Sequence, residues 1–126
     1  DRQYPIESLF KEGVLVASGS DFPVQTDRPL IAIEMGVTRA FPGETKSLPE
    51  DKEKAKLEDM ILSYTLNGAI ANGRENETGS IEIGKKADLV VLDKNLFEIP
   101  AAKIAETKET VTIFNGEVVY EKNAKN

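Results

Sequence analysis

The chain has 126 residues, of which 40% are hydrophobic and 30% are charged, and its formal net charge at pH 7 is -6. This composition is typical of a folded soluble domain and excludes a disordered segment, while the negative charge argues against a nucleic-acid-binding surface, which has to be basic. No apolar run reaches the ~20 residues of a membrane-spanning helix, and the length is well short of the ~250 residues of a complete eight-stranded α/β barrel.

Two residue types that carry much of enzyme chemistry are missing, because the chain contains neither His nor Cys. Zinc is held mainly by these side chains, and His is the most frequent acid–base group at neutral pH. Any zinc chemistry would therefore need ligands from outside these residues. The chain begins at Asp1 without a signal peptide, which favours a segment of a longer cytoplasmic protein.

The first 73 residues show mainly helical periodicity. The predicted helices cover residues 4–12, 29–40 and 57–71. Asp27 is the expected N-cap of the second helix, and Asn72-Gly73 is the expected stop of the third. Capping-box spacing in Ser47-Leu48-Pro49-Glu50 predicts a further helix start. Between the first two helices, Val14-Leu15-Val16-Ala17 is an apolar run typical of a parallel strand that is buried on both faces.

Short strands and turns follow Gly73, so we place a boundary between two units near residues 73–79. Residues 79–86 are predicted as a short strand and a turn, with Lys85-Lys86 at a solvated loop tip. The remaining predicted elements are a strand at 87–93, one helical turn at 100–105, and strands at 110–114 and 117–120. Asn115-Gly116 between the last two is a type I′ hairpin sequence. The predicted units are residues 1–73 and residues 74–126.

Asp21 is the candidate catalytic residue because it lies in a polar run, Ser18 to Pro23, that follows the predicted buried strand. The carboxyl ends of parallel strands are where α/β folds place their chemistry. A carboxylate there can bind a cation, or take a proton from water bound to one. Ser, Gly, Asp and Pro are also turn formers. On spacing alone, a turn residue that caps local backbone N–H groups is therefore the favoured interpretation of Asp21.

Ser18 and Ser20 provide an alternative, a hydrolase that uses a serine nucleophile without a cofactor. The sequence offers them no His as a general base, and the G-x-S-x-G pattern of a nucleophile elbow is not matched. Turn hydroxyls are the favoured role for both. Tyr64 and Asn67 lie on the strongest predicted helix, where packing is the favoured role.

Several stretches resemble the amidohydrolase superfamily, in the same order and at the same spacing across nearly the whole chain. Residues 13–23 are similar to the last barrel strand of that family, with its G-S-D-x-P ending. Residues 79–93 are similar to the signature G-x-I-x-x-G-K-x-A-D-L-V-V-L-D, which opens the family's carboxyl-terminal β-subdomain. Tyr64-Thr65-Leu66-Asn67 resembles the Y-T-x-N of the closing helix, residues 93–97 resemble D-x-N-x-F, and residues 112–120 resemble the terminal hairpin.

The resemblance implies an α/β fold: the last strand and helices of a (β/α)8 barrel, followed by a small β-sandwich-like subdomain that pairs with an amino-terminal counterpart. The branch resembled is that of N-substituted formamide deformylase and D-aminoacylase, which implies hydrolysis of a carbon–nitrogen, non-peptide bond of a small molecule with a divalent metal, most often zinc. Asp21 matches the aspartate that helps to bind the metal and moves the proton from water to the leaving nitrogen. Phe22 and Pro23 would line the substrate entrance.

The missing histidines limit what the resemblance implies for this chain, because the family's histidine ligands come from earlier strands. We therefore expect a carboxyl-terminal portion of a larger hydrolase, inactive and without a cofactor by itself, with the rest of the barrel as its partner. Asp21 would bind metal only together with ligands from the rest of the barrel. The alternative is a non-catalytic module that serves structure or partner binding.

Overall fold

The computed structural model of the chain describes residues 4–24, 26–44 and 51–122. Its elements, in chain order, are helix α1 (Ile6–Lys11), helix α2 (Pro29–Thr38), a 3₁₀ turn (Asp51–Glu53), helix α3 (Leu57–Tyr64), helix α4 (Leu66–Ala71), strand β1 (Leu89–Leu92), a 3₁₀ helix (Ala101–Glu106), strand β2 (Glu109–Phe114) and strand β3 (Glu117–Glu121). The helices thus come first, and a small antiparallel sheet follows. The predicted helix start at residues 47–50 lies outside the described residues.

The ends of the predicted helices are largely confirmed. Gly13 follows α1 with a φ of +72°, and Gly73 follows α4 with a φ of +65°, a conformation that glycine adopts without a steric cost. Helix α2 begins at Pro29, as predicted, but the prediction of Asp27 as its N-cap was wrong. The N-cap is Arg28, which makes no capping side-chain hydrogen bond. Its extended backbone (φ -100°, ψ 102°) is the conformation that a following proline favours.

The third predicted helix is interrupted in its middle, so the prediction of one continuous helix over residues 57–71 was wrong. Thr65, between α3 and α4, has φ -125° and ψ -98°, far from helical values. Its Oγ1 donates a hydrogen bond of 2.8 Å to the Ile61 carbonyl, and Ser63 Oγ donates one of 2.7 Å to the Met60 carbonyl. Hydroxyls that bond the preceding turn in this way compete with the backbone ladder and often bend a helix.

The core lies between α2, α3 and the 3₁₀ helix that precedes β2. Its buried side chains are Leu30, Ile33, Ala55, Met60, Leu96 and Ile104. Gly36 permits the close approach of α2 to α3, because a Cβ at that position would lie 2.5 Å from the Met60 sulfur. Residues from both sides of the predicted boundary near residues 73–79 contribute to this core, and the boundary itself stays a prediction.

Polar contacts also join α2 to the 3₁₀ helix. Glu34 is 3% exposed, and its Oε2 accepts a hydrogen bond of 2.7 Å from the backbone N–H of Ala105. Arg28 donates from Nη2 to the Ala105 carbonyl at 3.0 Å. The Glu34 side chain thus gives a buried backbone donor a hydrogen-bond partner, and leaving such a donor unpaired is costly.

The sheet has the strand order β1–β2–β3, with both pairs antiparallel. Asn115 and Gly116 have φ values of 51° and 85°, the two positive values that a type I′ turn requires, so the predicted hairpin is confirmed. The helical turn predicted at residues 100–105 is present as the 3₁₀ helix.

The strand predicted within residues 79–86 is absent. Ile81 and Ile83 are 87% and 108% exposed, and no strand in the described part of the chain runs beside them. An isolated strand cannot satisfy its backbone hydrogen-bonding groups within the protein. The predicted turn is present around Gly84, which has a φ of +94°.

None of the helices in the described part of the chain is long and apolar enough to cross a bilayer.

Candidate functional site

Residues 14–20, here called the connecting segment, lead from α1 to the candidate residue Asp21. Their first part was predicted as a strand buried on both faces, and this prediction was wrong. Within the described ranges, the segment belongs to no helix or strand, and Val14 and Leu15 are each 47% exposed. A strand of a parallel sheet is buried only when neighbouring strands and covering helices surround it, and residues 4–24, 26–44 and 51–122 place no such strand there.

The interrupted helix holds the connecting segment by two hydrogen bonds. The backbone N–H of Ser18 donates to the Ser63 carbonyl at 2.9 Å, and Asn67 Nδ2 donates to the Val16 carbonyl at the same distance. Packing was the role predicted for Asn67, so its hydrogen bond to the segment was missed. The motif Tyr64-Thr65-Leu66-Asn67 was the only signal for it, and a motif does not say which backbone group a side chain will bind.

Asp21 lies in a turn directly after this segment. Its carbonyl accepts a hydrogen bond of 2.8 Å from the backbone N–H of Val24, and its φ of 51° is a left-handed value that Asp tolerates better than most residues. The interpretation as a turn residue is therefore confirmed for its backbone. The side chain is exposed and makes no hydrogen bond or ion pair with any described residue. The predicted capping of local N–H groups by this side chain is thus not found, and the carboxylate is available to a ligand.

Phe22 and Pro23 occupy the same turn and are also exposed, Phe22 by 67%. The peptide bond between them is cis. An apolar pair beside a free carboxylate can contact the apolar part of a small molecule. Their part in substrate binding stays a prediction.

The described residues do not assemble a complete set of metal ligands around Asp21. They contain no group of three or more His, Cys, Asp or Glu side chains that could hold a metal ion. A zinc centre takes three or four protein ligands, and Asp21 supplies one carboxylate. This set does not by itself fit a metal centre, so no catalytic step through a metal can be derived from the described residues.

The serine alternative gains no support from the geometry. In the part of the chain that the structure describes, neither Ser18 Oγ nor Ser20 Oγ has a hydrogen bond to a side chain that could act as a general base. A serine hydroxyl needs such a base to become a nucleophile at neutral pH.

A second polar cluster, not foreseen from the sequence, lies at residues 80–85, between α4 and β1. Lys85 Nζ donates to Ser80 Oγ at 2.5 Å and to Glu82 Oε1 at 3.0 Å. The Lys85 side chain is only 12% exposed, so the prediction that it lies at a solvated loop tip was wrong. The hydrogen bond from Ser80, followed by the contacts with Lys85, lowers the pKa of Glu82. These contacts join Ser80, Glu82 and Lys85 to one another within residues 80–85.

Two further residues of the stretch 79–93 have structural roles. The Asp88 carboxylate accepts a hydrogen bond of 2.7 Å from the backbone N–H of Asn115, which joins this stretch to the hairpin turn. Gly79, with a φ of +91°, lies so close to α4 that an added Cβ would be 2.6 Å from the Ala69 Cβ. These residues thus shape the fold rather than carry chemistry.

Two open grooves are found among the described residues, with volumes of about 1040 Å³ and 560 Å³. The larger one lies between α4 and the sheet, where Asn72, Asp88 and Asn115 contribute to its wall. Asp21, Phe22 and Pro23 line neither groove. The candidate carboxylate is therefore exposed, and it lies outside both of these grooves.

Comparison with known proteins gives matches that extend over most of the chain. The model of the amidohydrolase family matches residues 2–120. N-substituted formamide deformylase of Arthrobacter pascens is 32% identical over 119 residues, which are 94% of this chain and 22% of that protein. A 5-methylthioadenosine/S-adenosylhomocysteine deaminase of Caldanaerobacter subterraneus subsp. tengcongensis is 30% identical over 127 residues, which cover 94% of this chain and 29% of the deaminase.

Two solved structures share the fold. An amidohydrolase from Thermotoga maritima MSB8 aligns with a TM-score of 0.69 and 27% identity, over 93% of this chain and 26% of that one. Guanine deaminase of E. coli aligns with a TM-score of 0.67 and 19% identity, over 92% of this chain and 30% of the other. The chain thus spans 22% to 30% of the length of these four proteins.

Proposed function

The chain belongs to the amidohydrolase family, and we propose that it forms the carboxyl-terminal part of a metal-dependent hydrolase that cleaves a carbon–nitrogen, non-peptide bond of a small molecule. The match over residues 2–120 carries this proposal. It includes Asp21 within the G-S-D-x-P stretch, and the matched relatives are named as a deformylase and a deaminase, both of which act on carbon–nitrogen bonds. Since the chain spans only 22% of the deformylase, the activity proposed is that of a longer polypeptide.

Asp21 is the residue proposed to carry the chemistry of this chain. A divalent metal, with zinc as the first choice, would supply a bound water of lowered pKa. The remaining ligands would come from the rest of the barrel, since Asp21 is the one ligand that this chain is proposed to add. Its carboxylate is exposed and has no partner among the described residues, so it is free to bind a cation and to hold a proton. Phe22 and Pro23, in the same turn, are proposed to line the substrate entrance.

Uncovered apolar surface supports a larger assembly. Large apolar side chains are exposed on the connecting segment, on strands β1 and β3, and on the stretch between α4 and β1. They include Val14, Leu15, Ile81, Ile83, Val90, Val118 and Val119. Large apolar side chains that gather on one exposed surface mark contact sites in soluble proteins. We propose that the rest of the barrel covers the connecting segment, and that an amino-terminal β-rich counterpart covers the sheet.

The test compares this chain with the complete polypeptide of which it is proposed to be a part. Zinc calorimetry should show no tight binding by the 126-residue chain, whereas the complete polypeptide should bind the metal and hydrolyse N-substituted formamides or related amides. Asp21→Asn should lower kcat by about 10²–10⁴-fold, as the loss of a proton-transferring group does. Asp27→Asn is the matched control, because Asp27 is also exposed but lies outside the motif, and it should leave kcat unchanged.

The result of this comparison also decides between the two candidate functions. A complete polypeptide that has no histidine ligands in its earlier strands, binds no metal and shows no turnover would contradict the hydrolase proposal. It would favour a non-catalytic binding module, for which the exposed apolar surface is the supporting observation. Tight 1:1 zinc binding by the 126-residue chain alone would instead contradict the proposal that its metal site needs outside ligands.

A further inference from the structure

The break between α3 and α4 makes one backbone carbonyl available to the connecting segment. In a continuous α-helix the Ser63 carbonyl would accept the N–H of residue 67, four positions later. At the non-helical Thr65 this ladder is interrupted, and the Ser63 carbonyl instead accepts the N–H of Ser18 at 2.9 Å. Ser63 is fully buried, so the break gives a buried acceptor a partner from another part of the chain.

The second half of the helix supplies the other contact. Asn67 lies in the first turn of α4, and its side-chain amide donates to the Val16 carbonyl at 2.9 Å across 51 residues of sequence. Val16 and Ser18 alternate along the segment, and they are held from opposite sides of the break, one by α4 and one by α3. In a sheet, a neighbouring strand satisfies the backbone groups of alternate residues along one edge. Here the Asn67 amide and the Ser63 carbonyl satisfy the alternate residues Val16 and Ser18.

These two bonds are also the last described hydrogen bonds before Asp21. The segment has one earlier backbone bond, from the N–H of Val14 to the Leu9 carbonyl. Beyond Ser18, the next described bond is the one that closes the turn, from the N–H of Val24 to the Asp21 carbonyl. The place at which the Asp21 carboxylate is presented is therefore set by the attachment at Val16 and Ser18.

We infer that Asn67 is a positioning residue for Asp21: its amide fixes the connecting segment against the interrupted helix and so sets the position of the carboxylate. This inference rests on the function proposed for Asp21 above. Asn67 touches neither substrate nor reacting atoms in this role, and it acts through the backbone of residues 16–18. The role requires a hydrogen-bond donor at Asn67, whereas a role in packing alone would require only the shape of the side chain.

The substitution Asn67→Asp separates these two roles because it keeps the shape and makes the donor depend on pH. Above the pKa of the new carboxyl, an oxygen faces the Val16 carbonyl and repels it. Below that pKa, which is about 3.9 for a free Asp and is raised by a facing acceptor, the protonated carboxyl donates again. The protection of the Ser18 amide against hydrogen exchange, corrected for the intrinsic rate at each pH, reports on the attachment.

Asn72→Asp is the matched control. Asn72 follows α4 directly, and its amide also donates to a backbone carbonyl, but to that of Gly68 in its own helix, at 2.8 Å. This variant makes the same chemical change without touching the connecting segment. Asn67→Leu, which removes the donor at every pH, is the second control. The amide of Ala105, bonded to Glu34 in the core, shows whether each variant remains folded.

At pH 7 we expect Asn67→Asp to lower the protection of the Ser18 amide about tenfold, the effect of losing one hydrogen bond with a partner left unpaired. Acidification to about pH 3.5 should restore the protection of the Ser18 amide in Asn67→Asp but not in Asn67→Leu. At every pH, this protection should be the same in Asn72→Asp as in the wild type. Unchanged Ser18 protection in Asn67→Asp, or equal protection in the Asp and Leu variants at low pH, would overturn the inferred attachment.

Kinetics of the complete polypeptide test the step from attachment to the position of Asp21. Asn67→Asp should lower kcat about tenfold at neutral pH with KM little changed, because the carboxylate is displaced while the substrate surface remains. Full kcat in a variant that has lost Ser18 protection would overturn the positioning role. A wild-type polypeptide without turnover would overturn the proposed function and with it the catalytic purpose of the attachment, while the exchange data would still decide whether Asn67 holds the segment.

Discussion

Gly79 is the position at which a single added methyl group should cost the most, for two reasons that can be measured separately. Its φ of +91° is unfavourable for any residue with a Cβ, and holding such a residue there costs about 1–3 kcal/mol. The added Cβ would also lie 2.6 Å from the Ala69 Cβ and 3.0 Å from the Leu66 Cα of α4. Overpacking of this kind costs about 1–3 kcal/mol. We therefore expect Gly79→Ala to lower the free energy of unfolding by about 2–6 kcal/mol.

Gly84→Ala is the matched control for the backbone term. Gly84 has a similar φ of +94°, but an added Cβ there meets no atom within 4 Å. Its cost should therefore be the backbone term alone, about 1–3 kcal/mol. The change Ala69→Gly should cost less in Gly79→Ala than in the wild type, because only in Gly79→Ala does it also remove the close contact.

Urea unfolding followed by circular dichroism gives all these free energies on one scale. Equal costs for Gly79→Ala and Gly84→Ala would refute the reasoning, because the contact with α4 would then contribute nothing. An Ala69→Gly change that costs the same in Gly79→Ala and in the wild type would contradict the proposed contact between residues 69 and 79.

Two further predictions concern charged side chains. Glu34→Leu should lower the free energy of unfolding by about 1–3 kcal/mol, because it removes the side-chain acceptor of the buried Ala105 N–H. Glu34→Gln keeps an acceptor oxygen and should cost less, and urea unfolding of both variants tests this difference. The pKa of Glu82 is lowered by its hydrogen bond from Ser80 and its contacts with Lys85. Its contribution to stability should therefore be complete above its unfolded pKa, near 4.5, and be lost as the pH falls through the lower folded value. Glu82→Gln should reduce the acid sensitivity of the thermal midpoint between pH 6 and pH 2.5, and an identical pH profile would contradict this assignment.

The features that sequence predicted well are those decided by local backbone chemistry. Asn115-Gly116 specifies its turn because both residues tolerate a positive φ. Gly13 and Gly73 end helices for the same reason. The resemblance to the amidohydrolase superfamily is confirmed by the family match over residues 2–120. Such signals depend on a few neighbouring residues and not on the rest of the fold.

The features that sequence missed depend on distant partners. The helix break at Thr65 interrupts a strong helical pattern, and the contact that uses it comes from Ser18. Burial of Val14–Ala17 was predicted from their apolar character, but burial requires covering elements that the described residues do not supply. The same holds for the strand predicted within residues 79–86, which has no neighbouring strand to pair with. In each case the pattern was local, and the outcome was decided by another segment.

The candidate site also contains one feature that the local sequence predicted and one contact that depends on a distant residue. Asp21 was selected from its place after an apolar run, and the structure shows an exposed carboxylate without a partner among the described residues. No pattern indicated that Asn67 would reach Val16, because a helical Asn can bind many backbone groups. The catalytic role of Asp21 and the roles of Phe22 and Pro23 stay predictions.

The hydrogen bond between Glu34 and Ala105 also limits when the protein can complete its core during synthesis. The two residues are 71 positions apart, and α2 leaves the ribosome long before its partner exists. At a synthesis rate of ~5–20 residues per second, Glu34 waits about 4–14 seconds for the N–H that satisfies it. Throughout that interval the carboxylate must remain in water, and the apolar side of α2 that will face the 3₁₀ helix remains open to other chains.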